Sequence, residues 1–342
     1  MLVLGIESSC DDTAAAVVED GRVLWSSVVS SQDSIHSKYG GIVPELASRR
    51  HIEAIIPVVE EALHKAGVNL DSIDGIAVTQ GPGLVGSILI GLSFAKALSY
   101  ARKIPLTAVN HIVAHPFAAF LGAKGGSPAA QPDFPLMALV VSGGHTTLIR
   151  LDSYLEYEVL GRTIDDAAGE AFDKSAKLLG LGYPGGPVMD RLAREGSREA
   201  FYFKRPYLKK GSLDFSFSGI KTAVLRHVDE LKKEETLGES AIRDLSASFQ
   251  EAVVDVLLKK AFWALEAWDT PNLILAGGVA CNSRLRERAL LAGEEKGLNV
   301  TIPEKKLCSD NAAFVASAGY WRLKDGRTEG LDLNAIPSFF DF

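Results

Sequence analysis

His111 and His115 stand four residues apart, the spacing at which two imidazoles share one helix face and can reach a single metal ion. The pair lacks the glutamate that follows the first histidine of a zinc-protease helix, so the general base of that chemistry is missing. Pro116 follows at once and fits a helix beginning near His111, because a first turn needs no backbone donors. Two imidazoles do not complete a site. Asp310, in Ser309-Asp310-Asn311-Ala312-Ala313, is the candidate third ligand, and the same position also suits a carboxylate that only caps a helix starting there.

Other polar residues offer further chemistry. Asp11 and Asp12 end the polar run Glu7-Ser8-Ser9-Cys10-Asp11-Asp12 and are either reactive carboxylates or turn formers. Asp165, Asp166, Glu170 and Asp173 place four carboxylates within nine positions. Gly and Ala fill the gaps and Tyr183-Pro184-Gly185-Gly186-Pro187 follows; a solvated helix face is the alternative. Glycine turns at 81–86, 142–145 and 277–282 each follow an expected strand. Glycine lets a backbone approach a ligand, and helix-start N–H groups favour anions. None matches a Walker loop or a dinucleotide fingerprint, and each alone suits a packing turn; together they favour a nucleotide. His145, after two glycines, either bonds a ligand or pins its turn.

These residues need elements to hold them. An apolar run at 2–6 and β-prone runs at 14–18 and 23–29, joined by Asp20-Gly21, predict a strand and a hairpin. Apolar residues at 52, 55, 56, 59 and 63 predict a helix over 51–66, kinked at Pro57 and stopped at Gly67. A strand at 73–79 and a helix at 87–101 flank the first glycine turn. A Gly/Pro/Ala-rich connection spans 124–135. Beyond it the pattern returns, with strands at 136–141, 147–151 and 157–162, then strand 272–276, helix 283–296 and strand 299–302. The repeat predicts two α/β halves, 1–133 and 134–342, around a cleft, with the final helix able to pack back on the first half. An irregular, basic insertion at 191–233 interrupts the second half.

Bulk properties narrow the class. At 342 residues, with 47% apolar and 23% charged residues, the chain suits two soluble globular domains. Its net charge of −7 excludes a molecule that binds nucleic acid through overall charge, so any RNA contact must be local. The insertion offers one: nine basic residues (Arg191, Arg194, Arg198, Lys204, Arg205, Lys209, Lys210, Lys221 and Arg226) against Glu195, Glu199 and Asp214, with Tyr202, Phe203 and Tyr207 interleaved. That is either a phosphate-and-stacking surface or an ordinary solvated one. Three scattered cysteines argue for a reducing compartment. No leader or membrane-length apolar stretch is visible, so a cytoplasmic protein is expected.

Taken together, Gly5-Ile6-Glu7-Ser8-Ser9-Cys10-Asp11, the 81–91 segment, His111/His115, 141–146, 164–181 with 183–187, 277–282 and Ser309-Asp310-Asn311-Ala312-Ala313 resemble one family. The sequence is similar to the bacterial tRNA threonylcarbamoyladenosine transferases (TsaD), once described as glycoproteases, over nearly its whole length. The resemblance implies an actin-like (ASKHA) ATPase fold of two duplicated ribonuclease-H-like lobes with a nucleotide and metal cleft. It implies one divalent metal, iron or else zinc, on His111, His115 and Asp310. It implies an adenylate lined by Val141, Ser142, Gly143, Gly144 and His145, with ribose and adenine held by Asp173, Gly186, Asp190 and Asn282. Asp11 and Asp12 fall where the family keeps acidic residues needed for transfer; Asp11 is the candidate for taking the amine proton, and Asp12 stands where many relatives have Glu.

The implied reaction moves the threonylcarbamoyl group of threonylcarbamoyl-AMP, made by a separate synthase, to the exocyclic amine of the adenine 3′ of the anticodon. The tRNAs are those reading codons that begin with A, and AMP leaves. The implied partners are tRNA, a paralogous TsaB-type subunit, contacted through the helix from Ile52 to Ala66, and a TsaE-type ATPase. Ile112-Val113-Ala114 and Pro116 depart from the usual family pattern, but both histidines remain. Three rivals fit less well. A small-molecule kinase of this superfold would have no need of the two histidines. A metalloprotease would need the absent glutamate. A non-catalytic scaffold, like TsaB, would lack the metal residues.

Overall fold

The structure, a computed structural model, describes residues 1–126, 131–209 and 211–338. Lys210 of the basic insertion and positions 127–130 of the Gly/Pro/Ala-rich connection lie outside the described residues. The chain divides into two compact units, Met1–Pro132 with Lys306–Phe342, and Asp133–Lys305.

The first unit runs β1 (Leu2–Glu7), β2 (Thr13–Glu19), β3 (Val23–Ser30), α1 (Asp33–His36), α2 (Pro44–Ala66), β4 (Gly75–Gly81), α3 (Val85–Arg102), β5 (Leu106–Asn110), α4 (His111–Ala114) and β6 (Gly122–Ala123). The second contains β7 (Leu136–Val141), β8 (Thr146–Leu151), β9 (Tyr157–Arg162), α5 (Ala168–Leu178), α6 (Gly185–Ala193), α7 (Ser218–Lys233), α8 (Glu239–Ala267), β10 (Asn272–Ala276), α9 (Ser283–Lys296) and β11 (Asn299–Thr301). The chain then passes through α10 (Lys305–Cys308) to α11 (Ala312–Lys324), which belongs with the first unit.

The first sheet has the order β5-β4-β1-β2-β3-β6 and the second β11-β10-β7-β8-β9. In each, the leading strand is central, pairs parallel with the later strands on one side, and pairs antiparallel with its own hairpin on the other. The repeated strand–turn–strand pattern is therefore a repeated topology. β1 and β7 are apolar because both of their faces are covered. Asp20 and Gly21 take φ of 49° and 67°, the primed turn that matches strand twist.

Two expectations need correction, and one helix went unread. α2 begins at Pro44, not near residue 51; proline at the first helical position sacrifices no hydrogen bond, so the helix starts before its apolar stripe does. Pro57 lies inside it, and Gly67 closes it at φ 72°. The 191–233 stretch is irregular only over 194–217, because α6 and α7 claim its ends. The 29-residue α8 was not legible, since buried residues occur all round it and leave no stripe.

Two close approaches shape the first unit. α11 rides so tightly on β1 that a Cβ at Gly5 would collide with the Ala312 carbonyl. The glycine turn at 81–86 is filled by the chain's own tail. Ile336 N–H donates to the Gln80 carbonyl (2.9 Å), Gly83 N–H donates to the Pro337 carbonyl (3.1 Å), and a Cβ at Gly81 would strike the Ile336 oxygen. These glycines make room for protein backbone, not for phosphate. Among the described residues no helix is long and apolar enough to cross a membrane.

Candidate metal centre and ligand pocket

β5 delivers its last residue, Asn110, as the cap of α4: its side chain accepts from Ile112 N–H (2.9 Å) and Val113 N–H (3.1 Å). That cap starts a single helical turn at His111, and the chain tightens to a 3₁₀ helix at His115, with Pro116 in its first turn. The two rings end 4.8 Å apart, nearly perpendicular, and Phe314 of α11 packs against both. The turn between α10 and α11 brings Asp310. The capping role open to Asp310 belongs to Asn311, whose side chain accepts from Ala313 N–H and Phe314 N–H.

Asp310 Oδ1 lies 3.6 Å from His111 Nε2 and 3.5 Å from His115 Nε2. These separations are long for hydrogen bonds, and they match donor atoms that share an ion with bonds near ~2.1 Å. All three ligand atoms fall within 4.8 Å of one another. His115 is fully buried, whereas the Asp310 side chain is 24% exposed. Two imidazoles and a carboxylate can therefore hold one divalent cation.

The centre has a partner that sequence reading passed over as part of a polar turn. Glu7, buried at the end of β1, accepts from His111 Nδ1 (2.9 Å) and from the Thr79 hydroxyl (2.6 Å), and its other oxygen accepts from Ser9 N–H (2.5 Å). A carboxylate on the far nitrogen fixes the ring's tautomer and aims Nε2 at the ion, a standard arrangement around metal-bound histidines. Burial alone would raise the Glu7 pKa, but the charge and hydrogen bond of His111, with Ser9 and Thr79, hold it below its ordinary value. Burial would depress His111, yet Glu7 and Asp310 push it up to about 9 in the metal-free chain. Burial lifts Asp310, and His111's charge opposes the rise, leaving it at about 6.

Asp11 and Asp12 occupy the loop between β1 and β2. Burial and then the charges of Asp310 and Asp11 push Asp12 up to about 8. Its Oδ1 is buried with no hydrogen-bond partner among the described residues. A buried carboxylate left partly unsatisfied is poised to take a proton or a donor from a ligand.

The second unit holds a separate cavity of about 420 Å³, the size of small-molecule sites. Gly143, Asp173, Gly186, Asp190 and Asn282 line it, beside the apolar walls Phe172, Pro184, Pro187 and Val279. Val141, Ser142, Gly144 and His145 are not among its lining residues. Val141 is buried in β7, and Ser142 and His145 bond to each other across their turn (2.8 Å). The polar residues already brace the walls. Asp173 accepts from Gly185 N–H (2.8 Å), and Asp190 accepts from Ser283 N–H and Oγ. Asn282 donates to Gln250 (2.7 Å) and caps α9. The glycines divide in two. A Cβ at Gly169, Gly185 or Gly277 would strike protein, whereas at Gly143, Gly144, Gly186 or Gly278 it would meet nothing within 4 Å. Packing does not demand that second group; the room it leaves suits a ligand.

The acidic stretch 165–173 proves largely structural. Asp165 caps α7 through Phe217 N–H and the Ser216 and Ser218 hydroxyls, and Asp166 pairs with Lys174 and Lys221. The basic insertion is likewise thinner than its sequence. Arg194, Arg198, Arg205 and Lys221 pair with Asp190, Glu251, Asp255 and Asp166. Phe203 is buried, while Tyr202 is 77% exposed. Arg191, Lys204, Lys209 and Arg226 are exposed and form no ion pair among the described residues.

Comparison with known proteins adds an independent line. The family model described as TsaD, tRNA N6-adenosine threonylcarbamoyltransferase, matches residues 23–317. A tRNA N6-adenosine threonylcarbamoyltransferase of Geobacter sp. (strain M21) is 54% identical over 337 residues, 98% of this chain and 96% of that one. One from Syntrophus aciditrophicus (strain SB) is 53% identical over 336 residues, with 98% and 96% covered. Among solved structures, component A of the (R)-2-hydroxyglutaryl-CoA dehydratase of Acidaminococcus fermentans aligns with a TM-score of 0.53 at 14% identity, over 95% of this chain and 99% of that one. At that identity the likeness concerns the fold alone, an ASKHA-type α/β chain of two lobes.

Proposed function

Because the chain belongs to the TsaD family of tRNA N6-adenosine threonylcarbamoyltransferases, we propose that it takes the threonylcarbamoyl group from threonylcarbamoyl-AMP and releases AMP. The transferase activity itself comes with the family. The observation that carries the reading at the level of residues is the convergence of His111, His115 and Asp310 over a buried Glu7.

A divalent ion held by His111, His115 and Asp310, iron or alternatively zinc, would polarise the donor and stabilise charge developing on it. Asp173, Asp190, Asn282, Gly143 and Gly186 hold the adenosine part, with Phe172 and Val279 as apolar walls. Val141, Ser142, Gly144 and His145 support the neighbouring turn, whose N–H groups favour the phosphate. The adenine N6 amine attacks the carbamoyl carbon, the bond from that carbon to the phosphate oxygen breaks, and the amine proton passes to the acidic loop. Asp12, with Asp11 beside it, takes that proton through its buried Oδ1, which has no hydrogen-bond partner among the described residues. An adenine amine is a weak nucleophile, so positioning must contribute much of the rate.

The acceptor is the adenine 3′ of the anticodon in tRNAs reading codons that begin with A, in the cytoplasm. Exposed Ile52 and Ile56 on α2, with Val85 and Leu89 on the adjoining α3, form an apolar face suited to a TsaB-type subunit. A TsaE-type ATPase completes the system.

Reconstitution with the synthase, both partners, tRNA and labelled threonine tests the reading: label should enter tRNA only when this chain is present. Label entering tRNA without it would sink the proposal. The tRNA contact is tested separately. Joint reversal of Lys204 and Lys209 to Glu is expected to weaken tRNA binding across sequences and flatten its salt dependence, by about one unit of slope per lost phosphate contact. An unchanged slope would move the RNA surface elsewhere.

A further inference from the structure

His51 is fully buried on α2, and both of its ring nitrogens are engaged. Nδ1 lies 2.7 Å from the Thr13 hydroxyl, and Nε2 lies 2.9 Å from the Cys10 carbonyl oxygen. A carbonyl oxygen only accepts, so Nε2 carries the hydrogen; in the neutral ring Nδ1 then accepts from Thr13. Burial favours that neutral form. Cys10 precedes Asp11 and Thr13 follows Asp12. One imidazole therefore clamps both ends of the acidic pair. β1 stops at Glu7 and β2 starts at Thr13, so the sheet gives the intervening loop no ladder of its own.

We propose that His51 is a positioning residue for the transfer, fixing the Asp11–Asp12 loop by gripping the backbone before it and the side chain after it. The inference rests on the assignment of Asp11 and Asp12 to the transfer step. His51 acts through the loop and does not touch the reacting atoms. Looseness of an ångström in such a group can cost on the order of 100-fold in rate. The two hydrogen bonds also differ in kind: the bond to Cys10 holds backbone, whereas Thr13 is already anchored in β2.

The test compares His51→Ala, His51→Gln and His51→Asn in the reconstituted system, alongside Asp11→Asn and Asp12→Asn, with bound zinc and thermal unfolding measured for each chain. A Gln amide can reach the position of Nε2 and donate to Cys10; an Asn amide reaches only that of Nδ1. His51→Ala and His51→Asn are expected to lower kcat by about 100-fold, with the KM for the acyl-adenylate and the zinc stoichiometry unchanged. His51→Gln should recover most of the rate. Should His51→Ala fail to fold, the Gln and Asn pair still decides: equal rates overturn the inference. It is also overturned if rate falls only in step with zinc content or folded fraction. Full activity in His51→Ala with a slow Asp12→Asn removes the positioning role alone. Full activity in both Asp→Asn chains removes the acidic-pair assignment and this inference with it.

Discussion

His115→Ala is expected to give a folded chain that retains no stoichiometric iron or zinc and transfers threonylcarbamoyl at least about 100-fold more slowly. Losing an outer partner of a metal-bound histidine already costs 10- to 100-fold, and losing the ligand itself costs more. His115 is the cleaner position, since the buried Glu7 pairs with His111. His111→Ala should lose the metal as well, but with a second penalty. It strands Glu7, a buried carboxylate whose charge His111 balances at 2.9 Å. Breaking a buried pair in this way costs about 3–5 kcal/mol. The metal-free His111→Ala chain should therefore unfold at a clearly lower temperature than metal-free His115→Ala. Adding Glu7→Gln should restore much of that difference while leaving the metal unbound. Glu7→Gln alone should keep all three ligands and bind the ion roughly 10- to 100-fold more weakly. Elemental analysis, thermal unfolding and labelled-threonine incorporation read the series. Full metal content in His115→Ala would exclude the three-ligand centre.

The contrast between those two histidines marks where the sequence stops being informative. Their spacing was legible because a helix converts four residues into one face, and that rule is local. Asp310 was legible as a candidate but not as free for a ligand's role, because only coordinates show Asn311 taking the cap. Glu7 gave no signal: a carboxylate at the end of an apolar strand reads as the start of a turn, and its partners stand 72 and 104 residues away. His51 was hidden for the same reason, as one polar position in an amphipathic helix. The repeated topology was visible since each half writes its own strand–turn–strand pattern. The glycines at 81 and 83 misled because a turn that receives a phosphate and a turn that receives the chain's own tail ask for the same residue. Part of the basic insertion was hidden by distance too: Arg198 and Arg205 pair with Glu251 and Asp255 on α8.

Asp12→Asn should lower transfer by at least about 100-fold, the lower end of what a positioned proton acceptor contributes, and at the same time stabilise the metal-free chain above pH 8. The two effects have one cause. In the folded chain burial and the charges of Asp310 and Asp11 raise the Asp12 pKa from 3.8 to about 8. A folded-state pKa above the unfolded one means that the fold binds this proton more tightly. Asp12's contribution to stability is thus fully present below its unfolded pKa and is lost as pH rises through about 8. Above that point the fold must hold an ionised carboxylate, one of whose oxygens is buried without a partner among the described residues, beside two other acids. An amide of the same shape removes the charge. The gain should be on the order of 1 kcal/mol or more at pH 8.5, seen as a rise of a few degrees in Tm, and should shrink towards nothing near pH 4. A site residue that weakens its own fold is expected where function sets the choice. If metal-free Asp12→Asn unfolds like the parent at both pH values and transfers at the parent rate, Asp12 is neither strained nor needed, and the proton must leave by another group.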